Sequence, residues 1–166
     1  MAEVTGCASH RGVQCRRLGM NALLHRSCLT VLTLTGLFVG GWAYFAPWHW
    51  YNTFPGMGFR WLPVLGPYNE HFVKDVGAMN LAMAALSIMA FLYLGNRALM
   101  HATALTLSVF NLLHLIYHVP MLHMYGPLDA TLNAVSLTVV LLCSLAIALP
   151  VRASVHDCRP PSDQIP

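Results

Sequence analysis

Four of the nine histidines in this chain have a spacing that could support metal chemistry. His114 and His118, in "HLIYH", are four residues apart, so on a helix both imidazoles face the same side and could share one metal ion. His71 and His123 could supply further ligands. One interpretation is therefore a transition-metal site on His71, His114, His118 and His123. The stretch lacks the internal glutamate of the zinc-protease pattern HExxH, so no catalytic base accompanies the pair.

The stretch "NEHFVKD" is the densest cluster of charged and polar residues in the chain. Asn69 is a residue type that caps helix N-termini. Glu70 precedes Lys74 by four residues, a favourable pairing on a helix surface. His71 precedes Asp75 by the same spacing. The pattern predicts a capped helix start, and alternatively one wall of a binding site that includes a carboxylate.

Composition indicates which elements must position these residues. Of 166 residues, 57% are hydrophobic and 9% are charged, against a usual charged share of about 25%. A helix that crosses a bilayer needs about 20 mainly apolar residues. Four such segments occur, at about 28–46, 76–94, 98–119 and 128–150. The sequence predicts an all-α fold, a four-helix transmembrane bundle over residues 28–150, followed by a disordered cytoplasmic tail at 151–166.

The distribution of arginine and lysine predicts the orientation of the bundle. Positive charge is concentrated in residues 1–27, at Arg97 and after the fourth helix, whereas the other loops carry only Arg60 and Lys74. By the positive-inside rule both termini lie in the cytoplasm, and the loop at 47–75 faces outward. We expect a multi-pass protein of the plasma membrane.

The N-terminal part of the chain allows two further alternatives. The first apolar segment follows several arginines, as in a secretory signal peptide. The small-residue motif from Gly36 to Gly40 favours a retained, packed helix instead. Met20 is an alternative start of translation. Since the five cysteines include no CxxC pair and none lies in an outward loop, no disulfide framework is expected.

Small and polar residues recur at helical spacing in each segment, so each helix has one face suited to pack inward. These faces carry Thr33, Gly36, Gly40 and Ala43; Gly77, Asn80, Ala84 and Ser87; His101, Ala104, Ser108, Asn111, His114 and His118; and Asp129, Asn133, Ser136, Val140 and Cys143.

Two histidines thirteen residues apart, His101 and His114, resemble stacked haem ligands. Because helices two and four contain no histidine to supply second ligands, haem is not expected.

Depth along the helices places many of these polar residues in one outer layer. With helix three running outward, Asn111 lies near mid-membrane and His118 near the outer surface. A polar pocket there could hold a lipid or a quinone. The predicted ligand-binding residues are Asn69, Glu70, His71, Asp75, Asn80, Asn111, His114 and His118. The aromatic loop "PWHWYNTFPGMGFRWLPVLGPY" is interpreted either as lying on the membrane surface or as a lid over the bundle.

The stretches "GPYNEHFVKDVGAMNLAMAAL" and "NLLHLIYHVPMLHMYGPLD" resemble a group of small bacterial four-helix membrane proteins that carry a PYNEH stretch before helix two. The layout is more distantly similar to DoxX-like membrane proteins. The resemblance covers roughly residues 54–149. The positions that carry it are Pro67, Tyr68, Asn69, Glu70, His71, Asp75, Gly77, Asn80, His114 and His118. Because that group has no established activity, the resemblance implies the architecture and the outer polar layer, and no reaction.

Two classes of function follow. The leading prediction is a non-enzymatic membrane protein, either an accessory subunit that contacts a membrane protein or a second copy of itself, or a binder of a small amphipathic ligand. The alternative is a membrane-embedded metal-dependent enzyme or redox subunit that uses the helix-three histidines. The bilayer is the expected surrounding. Nucleic acid is not an expected partner, because the arginines are not interleaved with aromatic residues.

Overall fold

The computed structural model describes residues 16–17, 20–149 and 154–155. Its helices are α1 (Met20–Phe45), α2 (Pro47–Thr53), α3 (Glu70–Leu92), α4 (Arg97–His118) and α5 (Pro127–Ala146), with a 3₁₀ turn at Val119–Met124. Two short strands, β1 (Arg16–Arg17) and β2 (Ser154–Val155), pair antiparallel. Within the described ranges, four helices are long and apolar enough to cross a membrane, which confirms the predicted helical bundle.

The helix ends differ from those predicted. Helix α1 begins at Met20 and α3 at Glu70, both earlier than the apolar segments do, and α5 ends at Ala146. The reason is that hydropathy marks where a segment leaves lipid, whereas a helix continues for as long as its backbone hydrogen bonds do. Residues 1–15 and most of the predicted tail, 151–166, lie outside the described residues.

The starts of α3 and α4 are both capped by asparagine. Asn69 Oδ1 accepts a hydrogen bond from the Phe72 amide at 3.3 Å, which confirms the predicted cap. Asn96 Oδ1 accepts one from the Leu99 amide at 3.1 Å. Such caps each stabilise a helix by about 1 kcal/mol. They fix where the two central helices of the chain begin.

Helix α1 packs closely against α3 through glycines. A Cβ atom added to Gly77 would lie 2.6 Å from the backbone nitrogen of Tyr44, and one added to Gly40 would lie 2.8 Å from the nitrogen of Leu81. The two backbones therefore touch without intervening side chains, as small residues permit in membrane bundles. The predicted inward faces are confirmed here, since Gly36, Gly40 and Gly77 are buried.

The four long helices form a ring around a central axis. Helix α1 neighbours α3 and α5, and α4 also neighbours α3 and α5, so α1 lies diagonally opposite α4. A packed hydrophobic cluster fills one end of the ring, which we name the core end. Its buried residues are Cys28, Leu29, Leu32, Ala90, Met100, Ala104, Leu107 and Ile147. At this end His25 Nε2 donates a hydrogen bond to the Leu149 carbonyl at 2.9 Å.

The opposite end, which we name the loop end, carries α2 and the rest of the connection between α1 and α3. Residues 46–69 form this connection, which we call the roof segment. It contains a short helix and a tight turn in which Gly56, Met57 and Gly58 all have positive φ angles. The predicted loop at 47–75 is therefore shorter than expected and partly helical.

Candidate functional site

A cavity of about 410 Å³ lies at the loop end of the ring, beneath the roof segment. Its volume falls within the range of roughly 300–1,000 Å³ typical of small-molecule sites. All four long helices contribute to its wall. The apolar residues that line it from these helices are Leu32, Phe38, Val39, Val76, Met79, Met83, Leu107, Phe110, Leu137 and Val140. The cavity begins where the cluster of the core end stops.

The roof segment covers this cavity with aromatic and aliphatic side chains. Trp50, Phe54, Trp61, Leu62 and Leu65 all line it. The Phe54 ring lies 5.4 Å from the Trp50 ring and 6.0 Å from the Trp61 ring, measured between centroids. Trp50 and Trp61 are buried, whereas Trp48 on the same segment is 62% exposed. Of the two interpretations of the aromatic loop, the geometry matches a lid over the end of the bundle.

Two hydrogen bonds fasten the roof segment to the far side of the ring. Trp61 Nε1 donates to Asp129 Oδ1 at 3.1 Å, at the start of α5. The Tyr125 hydroxyl donates to the Trp61 carbonyl at 3.0 Å. Burial, and then the nearby Asp129 carboxylate, raise the pKa of Tyr125 above its ordinary value, so the phenol keeps the proton that it donates. The roof segment is thus attached to α1 and α3 through the chain and to the start of α5 through Trp61.

The cavity wall is largely apolar and carries no formal charge from acidic or strongly basic side chains. Of the described residues that line it, none is Asp, Glu, Lys or Arg. The polar residues that line it are Thr35, Asn80, Asn111, His114, His118, Tyr125, Asn133 and Ser136. They come from α1, α3, α4, α5 and the 3₁₀ end, so polar groups surround an otherwise hydrophobic space. This combination is typical of sites for small organic molecules.

Three residues of this lining each carry a buried polar atom that has no hydrogen-bond partner among the described residues: Trp50 Nε1, His118 Nδ1 and Asn133 Oδ1. Their side chains are only 6%, 9% and 5% exposed, respectively. All three residues line the cavity, from α2, α4 and α5. Leaving such a group unsatisfied costs about 1–3 kcal/mol. Because most buried polar groups in proteins are paired, three unpaired groups on residues that line one cavity mark it as a candidate site.

Half of the predicted ligand-binding residues line this cavity, namely Asn80, Asn111, His114 and His118. Two of these also have structural hydrogen bonds. Asn111 Nδ2 donates to Ser144 Oγ at 2.7 Å, a buried link between α4 and α5. Asn80 Nδ2 donates to the Val76 carbonyl of its own helix at 2.8 Å. Of this set, His118 is the residue that keeps an unpartnered buried atom.

The other half of the set, Asn69, Glu70, His71 and Asp75, does not line the cavity. Lys74 Nζ lies 2.9 Å from Glu70 Oε1, and His71 Nε2 lies 3.3 Å from Asp75 Oδ2, so both predicted helix-surface pairs are confirmed. All of these side chains are exposed. The first turns of α3 instead direct Val73 and Gly77 into the bundle. The cluster is a capped and paired helix start.

The predicted metal ligands are only partly brought together. The rings of His114 and His118 lie 4.4 Å apart between centroids, and Phe110 stacks on His114 at 5.4 Å. His71 is exposed on α3, and the Nδ1 atom of His123 lies 2.6 Å from the Pro120 carbonyl oxygen. In the part of the chain that the structure describes, no group of three or more His, Cys, Asp or Glu side chains is placed to hold a metal ion.

The structure adds residues that the sequence did not single out as site residues. Trp50 and Trp61 belong to the aromatic loop, and their burial follows from a fold of that loop that no periodicity in the sequence indicates. Asn133 lies on the predicted inward face of the fourth apolar segment, which is α5 in the structure. The sequence does not distinguish it from residues that only pack between helices. On the same criterion His101 was expected inside, yet it is exposed near the start of α4.

Comparisons with protein-family models, with curated proteins and with solved structures gave no match. The resemblance of the PYNEH stretch to small bacterial four-helix membrane proteins therefore stays a prediction.

Proposed function

We propose that this protein is a multi-pass membrane protein that binds a small amphipathic ligand in the cavity at the loop end. The observation that carries the proposal is the partly enclosed, largely apolar cavity of about 410 Å³, three of whose lining residues carry a buried, unpartnered polar atom. An apolar body would fill the space between the helices. A polar end would satisfy the groups near the roof, which otherwise cost free energy.

The surroundings of the helices support the same proposal. Many large side chains on the outer faces of the bundle are exposed, among them Leu37 on α1, Ile116 on α4 and Leu142 on α5. Such faces suit contact with lipid tails, and the bilayer is then the source from which an amphipathic molecule reaches the cavity. The accessory-subunit and metal-enzyme alternatives stay predictions.

A cavity-filling substitution tests ligand binding directly. We expect Val140→Trp, on the cavity wall, to reduce the amount of bound small molecule at least tenfold, because the indole occupies the space of the ligand. The measurement is native mass spectrometry of the detergent-purified protein, followed by extraction and identification of the small molecules released. The matched control is Val139→Trp on the exposed face of the same helix, which should leave the bound amount unchanged. Equal occupancy in both variants would contradict the proposal.

We further propose that the membrane is the plasma membrane, with both termini in the cytoplasm and the loop end outside. The support is the excess of arginine in residues 1–27 and after α5, set against the few cations of the roof segment and the start of α3. The cavity would then open towards the outer leaflet. A ligand taken from that leaflet would meet the roof segment first.

Cysteine labelling tests this orientation. Met57 on the roof segment is 94% exposed, and Gly95 lies in the exposed turn between α3 and α4, so Met57→Cys and Gly95→Cys report opposite ends of the bundle. In a background with Cys7, Cys15 and Cys158 replaced by serine, we expect an impermeant maleimide to label Met57→Cys in intact cells. Gly95→Cys should react only after permeabilisation. The reverse pattern would overturn the orientation and leave the ligand proposal standing.

A further inference from the structure

The three unpartnered atoms restrict what kind of polar group the cavity can accept, and this inference rests on the proposed function. Trp50 Nε1 carries a hydrogen and can only donate. Asn133 Oδ1 is a carbonyl oxygen and can only accept. His118 Nδ1 donates or accepts according to its tautomer. A molecule that satisfies this wall must therefore present both an acceptor and a donor.

Charge restricts the polar group further. No Asp, Glu, Lys or Arg side chain is among the described residues that line the cavity. An ionised head group moved from water into such a space loses its hydration without gaining a counter-charge, and an unpaired buried ion is far more costly than a neutral polar group. Asp129 lies nearby, but its Oδ1 already accepts from Trp61 Nε1 at 3.1 Å. A phosphate, carboxylate or quaternary ammonium head group does not fit this wall.

We propose that the ligand is an uncharged amphipathic molecule whose polar end bears a hydroxyl group. A hydroxyl donates one hydrogen bond and accepts others, so it supplies both kinds of contact that Asn133 Oδ1 and Trp50 Nε1 lack. An ether, an ester or a quinone carbonyl only accepts, so it leaves Asn133 Oδ1 unsatisfied. Phospholipids are excluded as the preferred ligand by their charge.

Two sources of this chemistry fit the cavity. A hydroxylated ring, such as an alkylphenol or a hydroquinone, would lie among Trp50, Phe54 and Phe110, where aromatic rings interact favourably. A long-chain alcohol would use the same hydroxyl contacts and fill the space with its chain. The shared feature is the neutral hydroxyl, and the choice of probes separates the two.

The experiment compares four probes on the purified full-length protein in lipid nanodiscs: 1-dodecanol, its methyl ether, dodecyl phosphate and 4-octylphenol. We expect 1-dodecanol or 4-octylphenol to bind at least about fivefold more tightly than the ether, the size of one net hydrogen bond. Dodecyl phosphate should bind no better than the ether. The tighter of the two hydroxyl probes indicates the source. Equal binding of alcohol and ether, or tightest binding of the phosphate, would overturn the inference.

Two variants test whether Asn133 and Trp50 cause the preference for a hydroxyl group. Asn133→Leu should abolish the preference for alcohol over ether while leaving the affinity for the ether unchanged, because only the donor contact is lost. Trp50→Phe keeps an aromatic ring and removes the Nε1 donor, so it should weaken both probes by a similar factor. Thr138→Val removes an exposed hydroxyl elsewhere on α5 and should change neither affinity. If Asn133→Leu fails to assemble, Trp50→Phe alone still tests the assignment, and an unchanged affinity for both probes would contradict it.

The outcomes also separate this inference from the proposal on which it rests. If none of the four probes binds the wild-type protein and Val140→Trp changes no occupancy, the cavity is not a ligand site and both statements fail. If the probes bind but show no preference for a hydroxyl, the cavity binds amphipathic molecules and only the assignment of the head group fails.

Discussion

Gly77→Ala should be strongly destabilising, although it adds a single methyl group. That carbon would lie 2.6 Å from the backbone nitrogen of Tyr44 and 2.9 Å from its Cα atom, so α1 and α3 would have to separate. Backbone atoms cannot move aside as a flexible side chain can. Overpacking of this kind costs about 1–3 kcal/mol. We expect a clear decrease in the unfolding temperature of the purified protein in detergent, measured by differential scanning fluorimetry.

Gly41→Ala is the matched control for this prediction. A Cβ atom at Gly41 has nothing within 4 Å, and alanine is favoured over glycine inside a helix by about 1 kcal/mol. The control should therefore be neutral or slightly stabilising. An equal loss of stability in both variants would mean that glycine itself, and not the close approach of α1 to α3, determines the effect.

These glycines also show why the architecture could be predicted from the sequence. A helix that crosses a bilayer must satisfy its backbone internally, so long apolar segments leave little choice of secondary structure. Small residues then mark the faces that can approach, and Gly36, Gly40 and Gly77 are all buried as the pattern indicated. The helix ends were less predictable, because Met20 and Glu70 begin helices outside the apolar segments.

The site could be predicted only in part, and the reason differs from residue to residue. His118 and Asn111 were identified because helical periodicity places them on the inward face of α4. Glu70 and Asp75 share the predicted depth of the outer layer, but they lie on the exposed side of the first turns of α3 and do not line the cavity. Trp50 was not identified at all, since its burial depends on how the roof segment folds back over the bundle.

The contrast between the two ends of the ring explains where a ligand site can form. At the core end, Leu29 and Ile147 are almost fully buried and the helices pack against one another. At the loop end, glycine contacts keep α1 close to α3, yet the space between these helices and α4 and α5 is not filled by side chains. The roof segment covers that space at the loop end instead. The stability of the roof should therefore control access to the cavity.

Trp61→Ala should release the roof. Trp61 is 7% exposed and packs on Phe54, and its side-chain Nε1 donates the hydrogen bond to Asp129. The bond from the Tyr125 hydroxyl goes to the Trp61 backbone carbonyl, which alanine retains. Replacing a buried aromatic side chain by alanine costs about 3–5 kcal/mol. We expect amides of residues 46–69 to exchange with deuterium much faster in Trp61→Ala, measured by mass spectrometry, while exchange in the helices at the core end stays unchanged.

Two further variants separate the contributions of the Trp61 side chain. Trp61→Phe keeps a ring against Phe54 and removes only the hydrogen bond to Asp129, so its effect on exchange should be intermediate, with a cost of about 1.5–3 kcal/mol for a bond to a charged acceptor. Trp48→Ala removes an exposed tryptophan from the same segment and should leave exchange in the rest of the roof close to that of the wild type. If Trp48→Ala releases the roof as much as Trp61→Ala does, the closure depends on the aromatic content of the segment as a whole. If only Trp61→Ala releases it, the Trp61 side chain is what holds the roof over the cavity.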